Sequence, residues 1–242
     1  MIGAILNAAG IIIGGIGGLV RKTPLPATTQ YFFKTGLGAF TSFYGLRLVW
    51  LSLNGPFLQI LKQLGVIALA LLLGKWTGHL LRLQKSSNRL GQLSRELIVV
   101  AKPGAPRTFS VGFKVCSALF CAAPLGILGA VADGLTPDGY FYPLAVKAVM
   151  DGLAAMGFVS IFGRGVLLSA LPVLAFQGSI ILGAQILGPF LETHGLADSV
   201  NATAGLLITC VSMLIFEIKK IEIADYLPGL IFAPVLAWLL LK

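Results

Sequence analysis

The chain has 242 residues, of which 57% are hydrophobic and only 11% charged, with a net charge of +9 and a mean hydropathy of +0.92. A soluble domain of this size carries about 25% charged residues, so the composition excludes an ordinary water-soluble fold. It predicts an all-α class: a polytopic transmembrane helical bundle forming a single integral membrane domain over 1–242. Barrel strands are excluded because the apolar runs are long and lack period-two alternation. The cations sit mainly between apolar runs, as the positive-inside rule requires, with no aromatic-interleaved groove for nucleic acid.

About eight spans are expected, in chain order near 2–20, 33–53, 57–81, 109–132, 140–162, 165–190, 199–217 and 227–241. Seven is the alternative, because the last run is short for the roughly 20 residues that cross a bilayer. The first run lacks a basic segment before it and reads as a retained helix rather than a signal peptide. The second opens at Lys34 and carries Arg47, the best cationic candidate, within reach of Asp133 or Asp138 or of an anionic solute. The third holds Lys75 and His79 near one end, where long polar side chains snorkel.

Spans one and three share small-xxx-small pairs, Gly14/Gly18 and Gly74/Gly78. KTGLGAF at Lys34 and KAVMDGLA at Lys147 form a second weak likeness. If 1–83 and 109–190 are repeats, three spans apiece makes them inverted, as in many secondary transporters, with 199–241 as additional helices.

Between spans three and four, residues 82–107 form a basic connection with Arg82, Lys85, Arg89, Arg95, Lys102 and Arg107. Leu90, Leu93, Leu97 and Ile98 fall near helical spacing, so the segment reads either as an amphipathic helix on an anionic inner surface or as a solvated loop. Pro103 and Pro106 end any helix there. Placing this connection, Arg21 with Lys22, Arg164 and Lys219 with Lys220 on one side leaves Asp133, Asp138, Glu192 and Asp198 on the other. That supports eight alternating spans with both termini outside. A seven-span chain would place Lys242 inside.

Span four breaks at Pro124 and ends in DGLTPDG, a polar turn that lacks the ligand set of a calcium loop. Span five, LAVKAVMDGLAAMGF, carries Asp151 near its midpoint, one turn from Lys147. A carboxylate at membrane depth is costly unless paired or hydrated, and marks a functional site. An i,i+4 pair that only packs is the structural alternative. Gly152 leaves room beside Asp151 for a helix, an ion or water. Span six contains Pro172, expected to kink it, and then Gln177 and Gly178 near the midpoint. Asn7 and Asn201 are weaker polar candidates. Cys116, Cys121 and Cys210 make no disulfide framework, and His79 and His194 make no metal site. No Walker loop, nucleophile elbow or zinc-protease motif is present, so no enzyme and no cofactor are expected.

The runs CAAPLGILGAVADGLTPD, KAVMDG and GRGVLLSALPVLAFQG resemble the bacterial integral membrane family catalogued as domain of unknown function 554, the YdfK/YqgA-like proteins. The family pattern falls on Cys121, Gly129, Asp133 and Gly134, then on Lys147, Asp151 and Gly152. It continues on Gly163, Gly165, Val166, Ser169, Ala170, Pro172, Val173, Leu174, Gln177 and Gly178. The opening MIG and the late KKIEIADYLPGLIFAPVL are also similar. Ala148 stands where the family has Ser, and Pro124 where it has a Met-like residue. The resemblance implies a membrane fold and singles out Lys147, Asp151 and Gln177, without a substrate.

The residues together point to a secondary transporter for a small polar or anionic solute. Asp151 would bind the coupling H+ or Na+, Lys147 or Arg47 would face an anion, and Pro124 and Pro172 would shape the path beside Gln177 and Gly178. The alternative is a scaffold or regulator whose 82–107 segment recruits a cytoplasmic partner or anionic lipid. Small-residue helix faces permit a homodimer under either reading.

Overall fold

The computed structural model describes residues 1–21, 25–100, 109–136 and 138–241. Lys22, Lys102, Pro103, Pro106, Arg107 and Lys242 lie outside the described residues. Among those described, the chain is helical throughout and has no strand. The helices are α1 (Ile2–Val20), α2 (Ala27–Leu51), α3 (Phe57–Leu80), α4 (Leu83–Val100), α5 (Phe109–Ala122) and α6 (Pro124–Leu135). They continue as α7 (Tyr142–Phe162), a 3-10 segment Gly163–Ser169, α8 (Ala170–Thr193), α9 (Ala197–Ile215), α10 (Ile223–Tyr226) and α11 (Gly229–Leu240).

Five helical stretches are long and apolar enough to cross a membrane, and six if the bent pair α5–α6 is one crossing. The expected count of about eight is not confirmed. One reason is α2, whose Gln30, Lys34 and Arg47 leave it outside that set. Another is that Tyr142–Thr193 counts as one stretch of 52 residues. At about 1.5 Å per residue that is more than twice the ~30 Å hydrocarbon core. It is interrupted at Gly163, whose φ of 76° ends α7 in a conformation that a side chain disfavours.

The large exposed side chains are what lipid requires. Ile13, Val20, Trp50, Phe57, Trp76 and Ile186 are each at least 70% exposed. An aqueous surface does not carry apolar groups on this scale.

Helix association uses small residues, because lipid tails are as apolar as leucine and only close packing distinguishes a partner helix. On α1, Gly10, Gly14 and Gly18 stand against the backbone carbonyls of Ala148, Gly152 and Met156 on α7. A Cβ at any of the three would collide with main chain. Gly45 and Gly205 bring α2 and α9 together in the same way, and Gly74 and Gly78 seat α3 on Gly229 and Asp225. Thus α1 packs chiefly on α7 and α8, α2 on α9, and α3 on α10 and α11.

The helix ends gather into two sets. At one end, Lys34 pairs with Glu217, Gln84 bonds Asp225 and Ala224, and Gly165 abuts Phe109. At the other, Asn54 donates to Asp198, Gly3 N–H donates to Asp133, and His194 stacks on Trp238.

Of the two breaks expected at prolines, one is present and one is not. Span four breaks as anticipated: α5 and α6 meet at 58°, with Ala123 extended and Pro124 opening α6. Proline suits that first position, where no helical acceptor awaits its missing N–H. Pro172, however, kinks nothing. It lies in the first turn of α8, where the absent N–H costs no helical bond, and the interruption is the 3-10 segment before it. The 83–100 part of the basic connection is a helix, packed along α3, α5 and α10.

Candidate functional site

Lys147 and Asp151 lie one turn apart on α7, and α1, α5, α6, α8 and α9 close around them. Lys147 is 1% exposed and Asp151 7%. The ammonium donates to Asp151 Oδ2 at 2.5 Å. Burial of two such groups is tolerated only because each satisfies the other, since desolvating an unpaired charge costs several kcal/mol.

Two amides stand beside the pair. Asn7 Nδ2 donates to Gln177 Oε1 at 3.2 Å, joining α1 to α8, and also reaches toward Asp151. Both amides are fully buried. Asn7 Oδ1 and Gln177 Nε2 nevertheless have no hydrogen-bond partner among the described residues. Buried polar atoms are nearly always satisfied, so an unpaired acceptor and donor in one cluster call for a partner that the described side chains do not supply. Gly126 on α6 lets Lys147 and Gln177 pack against that helix's backbone: a Cβ there would meet Lys147 Cε at 2.9 Å and Gln177 Nε2 at 3.1 Å.

The helix break borders this cluster. A cavity of about 300 Å³ is lined by Ala123, Pro124 and Leu125 at the break, by Lys147, Met150 and Asp151, and by Val211, Leu214 and Ile215 of α9. A larger crevice of about 660 Å³ runs between α2 and α7 to Arg21, Gln30 and Lys34. Met150 and Ile215 line both and stand between the two. The walls of the crevice are mostly apolar, with Leu25, Phe33, Leu37, Leu153 and Met156 among them.

Of the residues expected from sequence, Lys147, Asp151, Gln177 and Pro124 converge. Gly152 touches the other side of α7, where it receives α1 at Gly10 and Gly14 instead of leaving room for an ion. Gly178 faces the Met1 side chain. Arg47 is elsewhere: its guanidinium lies over the rings of Tyr140 and Tyr142, at 5.8 and 5.5 Å from their centroids. Tyr140 holds that arrangement by donating to the Tyr44 carbonyl at 2.8 Å, and burial pushes its phenol up to about 12.

Asp133, expected in a polar turn and as a partner for Arg47, is 3% exposed and caps α1 instead. Its Oδ2 accepts from Gly3 N–H at 3.2 Å, favourable for an anion at a helix N-terminus. Asn7, a weaker candidate from sequence, lies within the cluster around Lys147 and Asp151. It lies at helical spacing from Gly3, Gly10 and Gly14, so the face that carries α1 onto α7 also carries a lone amide. Asp225 gave no such signal. It is buried, accepts from Gln84 N–H at 2.7 Å at the start of α4, and stands 3.7 Å from His79. Among the described residues, no group of His, Cys, Asp and Glu can hold a metal ion.

These features define a helical membrane protein with a buried ion pair beside a broken helix. The chain belongs to the DUF554 family, described as a protein of unknown function, whose profile matches residues 2–238. It is 29% identical over 236 residues to the uncharacterized protein YqgA of Escherichia coli (strain K12), covering 96% of this chain and 94% of that one. It is 28% identical over 240 residues to the uncharacterized membrane protein YdfK of Bacillus subtilis (strain 168), covering 99% and 97%. No solved structure matches.

Proposed function

We propose that this protein is a secondary transporter of a small polar or anionic solute, driven by H+ or Na+, with Lys147 and Asp151 as its central site. The observation that carries the reading is the conjunction at Pro124. A broken helix passes a buried, neutralised ion pair with two unsatisfied amides, and an accessible cavity opens onto it. Discontinuous helices beside a polar site near the membrane midplane are a recurring device of secondary transporters. Irregular backbone is tolerated in a membrane where it lines such a cavity.

The two sets of helix ends favour eight traversals, with α2 crossing despite its polar residues and α7 and α8 crossing separately. The cations Lys34, Arg82, Lys85 and Arg89 gather with Lys219 and Lys220 at one end. That end is the cytoplasmic one, in a bacterial cytoplasmic membrane, with both termini outside. The inverted relation of 1–83 to 109–190 would supply the two access states.

The test is uptake by proteoliposomes from a panel of amino acids, sugars, carboxylates and inorganic anions, under H+ and Na+ gradients. Gradient-driven accumulation that Asp151→Asn abolishes is expected. Accumulation equal in wild type and variant, or none above empty liposomes, overturns the reading.

A scaffold remains the second reading because α4 folds onto α10 around a polar cavity of about 660 Å³ in which Arg82, Lys85 and Arg89 outnumber the carboxylates Glu222 and Asp225. It predicts a function lost on deletion of residues 83–100 and indifferent to Asp151→Asn.

A further inference from the structure

Resting on the transporter reading, we infer that the solute is a singly charged organic anion with an apolar body, carried with one proton in an electroneutral step. The argument starts from charge. With Lys147 as ammonium and Asp151 as carboxylate, the buried site is neutral. An anion entering from the cavity finds one cation, Lys147, whose charge is already taken by Asp151. Adding the anion alone would leave a net charge of −1 in a site with little water. Adding a proton alone to Asp151 would leave Lys147 unpaired, a net charge of +1. Both are the uncompensated buried charges that proteins avoid.

Only the doubly loaded state restores neutrality. The proton forms an O–H bond on Asp151 Oδ2, the ammonium transfers its ion pair from Asp151 to the anion, and the total is again zero. Release on the far side returns the proton to water and the ammonium to Asp151. Desolvation itself thus enforces one proton per anion, because the half-loaded forms are the ones that cannot be buried.

The groups facing the pair fit this exchange. From α1 comes the amide of Asn7, from α8 that of Gln177, from α5 the half-buried thiol of Cys121 within electrostatic reach, and from α6 Gly126. The facing residues of α9 are Val211, Leu214 and Ile215. The unpaired Gln177 Nε2 can donate to an anion's oxygen, and the unpaired Asn7 Oδ1 can accept from a protonated carboxyl. Exchanging O and N in both amides still leaves one donor and one acceptor over. A sodium ion suits the two amides poorly: it needs several oxygen ligands, and of their fully buried unpartnered atoms one is an oxygen, Asn7 Oδ1, and the other a nitrogen, Gln177 Nε2. The apolar walls between the cationic mouth and the pair, from Leu25 and Phe33 to Met150, call for an apolar body.

The probes are isotope-labelled lactate, 2-oxoisovalerate and benzoate, given to proteoliposomes with wild type or Asp151→Asn. Accumulation of at least one should rise about tenfold per unit of pH gradient, as one proton demands. A potassium–valinomycin potential of either sign should change it less than twofold, and replacing Na+ by choline should not change it. A net charge moved across 100 mV would instead change accumulation about fifty-fold. Adding the transported probe to wild type in detergent should draw about one proton per chain from the medium, read with a pH dye. That readout needs no variant to fold.

Potential-driven or sodium-dependent uptake overturns the inference and leaves the transporter reading standing. So does Asp151-dependent uptake confined to neutral or cationic solutes of the wider panel. Uptake of no solute at all overturns both.

Discussion

Two lysine–carboxylate pairs of nearly equal length sit in opposite settings. Lys147 meets Asp151 at 2.5 Å with both side chains at most 10% exposed, and Lys34 meets Glu217 at 2.7 Å with side chains 35% and 78% exposed. Distance does not distinguish them. What differs is the alternative available to each charge if its partner is removed. Water takes over at the helix-end pair, whereas the buried ammonium or carboxylate has no such recourse. The same contact is therefore nearly neutral in one place and decisive in the other.

The largest effect should come from breaking the buried pair on one side. Lys147→Met leaves Asp151 unpartnered and is expected to cost about 3–5 kcal/mol of stability, read as thermal unfolding in detergent followed by tryptophan fluorescence. Adding Asp151→Leu should recover most of that loss while leaving transport absent. If the single and double variants are equally unstable, burial of charge is not what makes this pair matter.

Next comes the seam that seats the pair. Gly14→Leu drives a side chain into the Gly152 carbonyl on α7, where main chain cannot move aside. Overpacking of this kind costs about 1–3 kcal/mol and should also displace Asn7 from Gln177. An unchanged melting temperature would mean that the α1–α7 seam is not close-packed in the membrane.

Asp225 sharpens the comparison from between the two extremes. It is as buried as Asp151, yet its main partners are the Gln84 N–H at the start of α4 and the nearby His79. Asp225→Asn keeps an acceptor oxygen for that N–H, so a loss of about 1 kcal/mol is expected, in the range of a helix cap. Hydrogen exchange should locate the change in α4. A loss as large as that of Lys147→Met would show that His79 acts as a full counter-charge.

Smallest is the exposed pair. Its hydrogen bond to Lys34 holds the Glu217 carboxyl below the usual range. A carboxyl with a lowered folded value contributes stability above its unfolded pKa, near 4.3, and loses it as pH falls through the folded value. Lys34→Ala should remove a contribution that is present above about pH 4.3 and absent in acid. Because solvent screens the pair, the loss of melting temperature at pH 7 should be slight and should vanish as pH falls through the folded value. A clear drop at pH 7, insensitive to salt, would contradict the solvent-screened setting.

The contrast also shows which parts of the site were legible in the chain. Lys147 and Asp151 are four apart on an apolar helix, so their pairing is local and follows from the helical repeat. Pro124 marks its break because proline lacks the N–H a continuous helix needs. The neighbours of Arg47 were not legible, because an apolar run announces a residue's depth but not its partners, and Tyr140 and Tyr142 are nearly a hundred positions away. Pro172 was misread for a different reason: proline bends a helix only when a full turn precedes it, and the 3-10 segment from Gly163 removes that turn.

By itself, then, the sequence determined that this is a helical membrane protein with glycine-faced helices and a lysine and an aspartate one turn apart within an apolar span, because hydrophobicity and the 3.6-residue repeat are properties of near neighbours. Only the tertiary structure decided that Asn7 and Gln177 meet beside that pair, that Gly126 lets Lys147 and Gln177 pack against α6, and that Asp133 caps α1. Each of those contacts joins helices far apart in the chain, and lipid exerts no pull that selects one apolar face over another. The choice falls to close-packed glycines and to polar groups that must find partners.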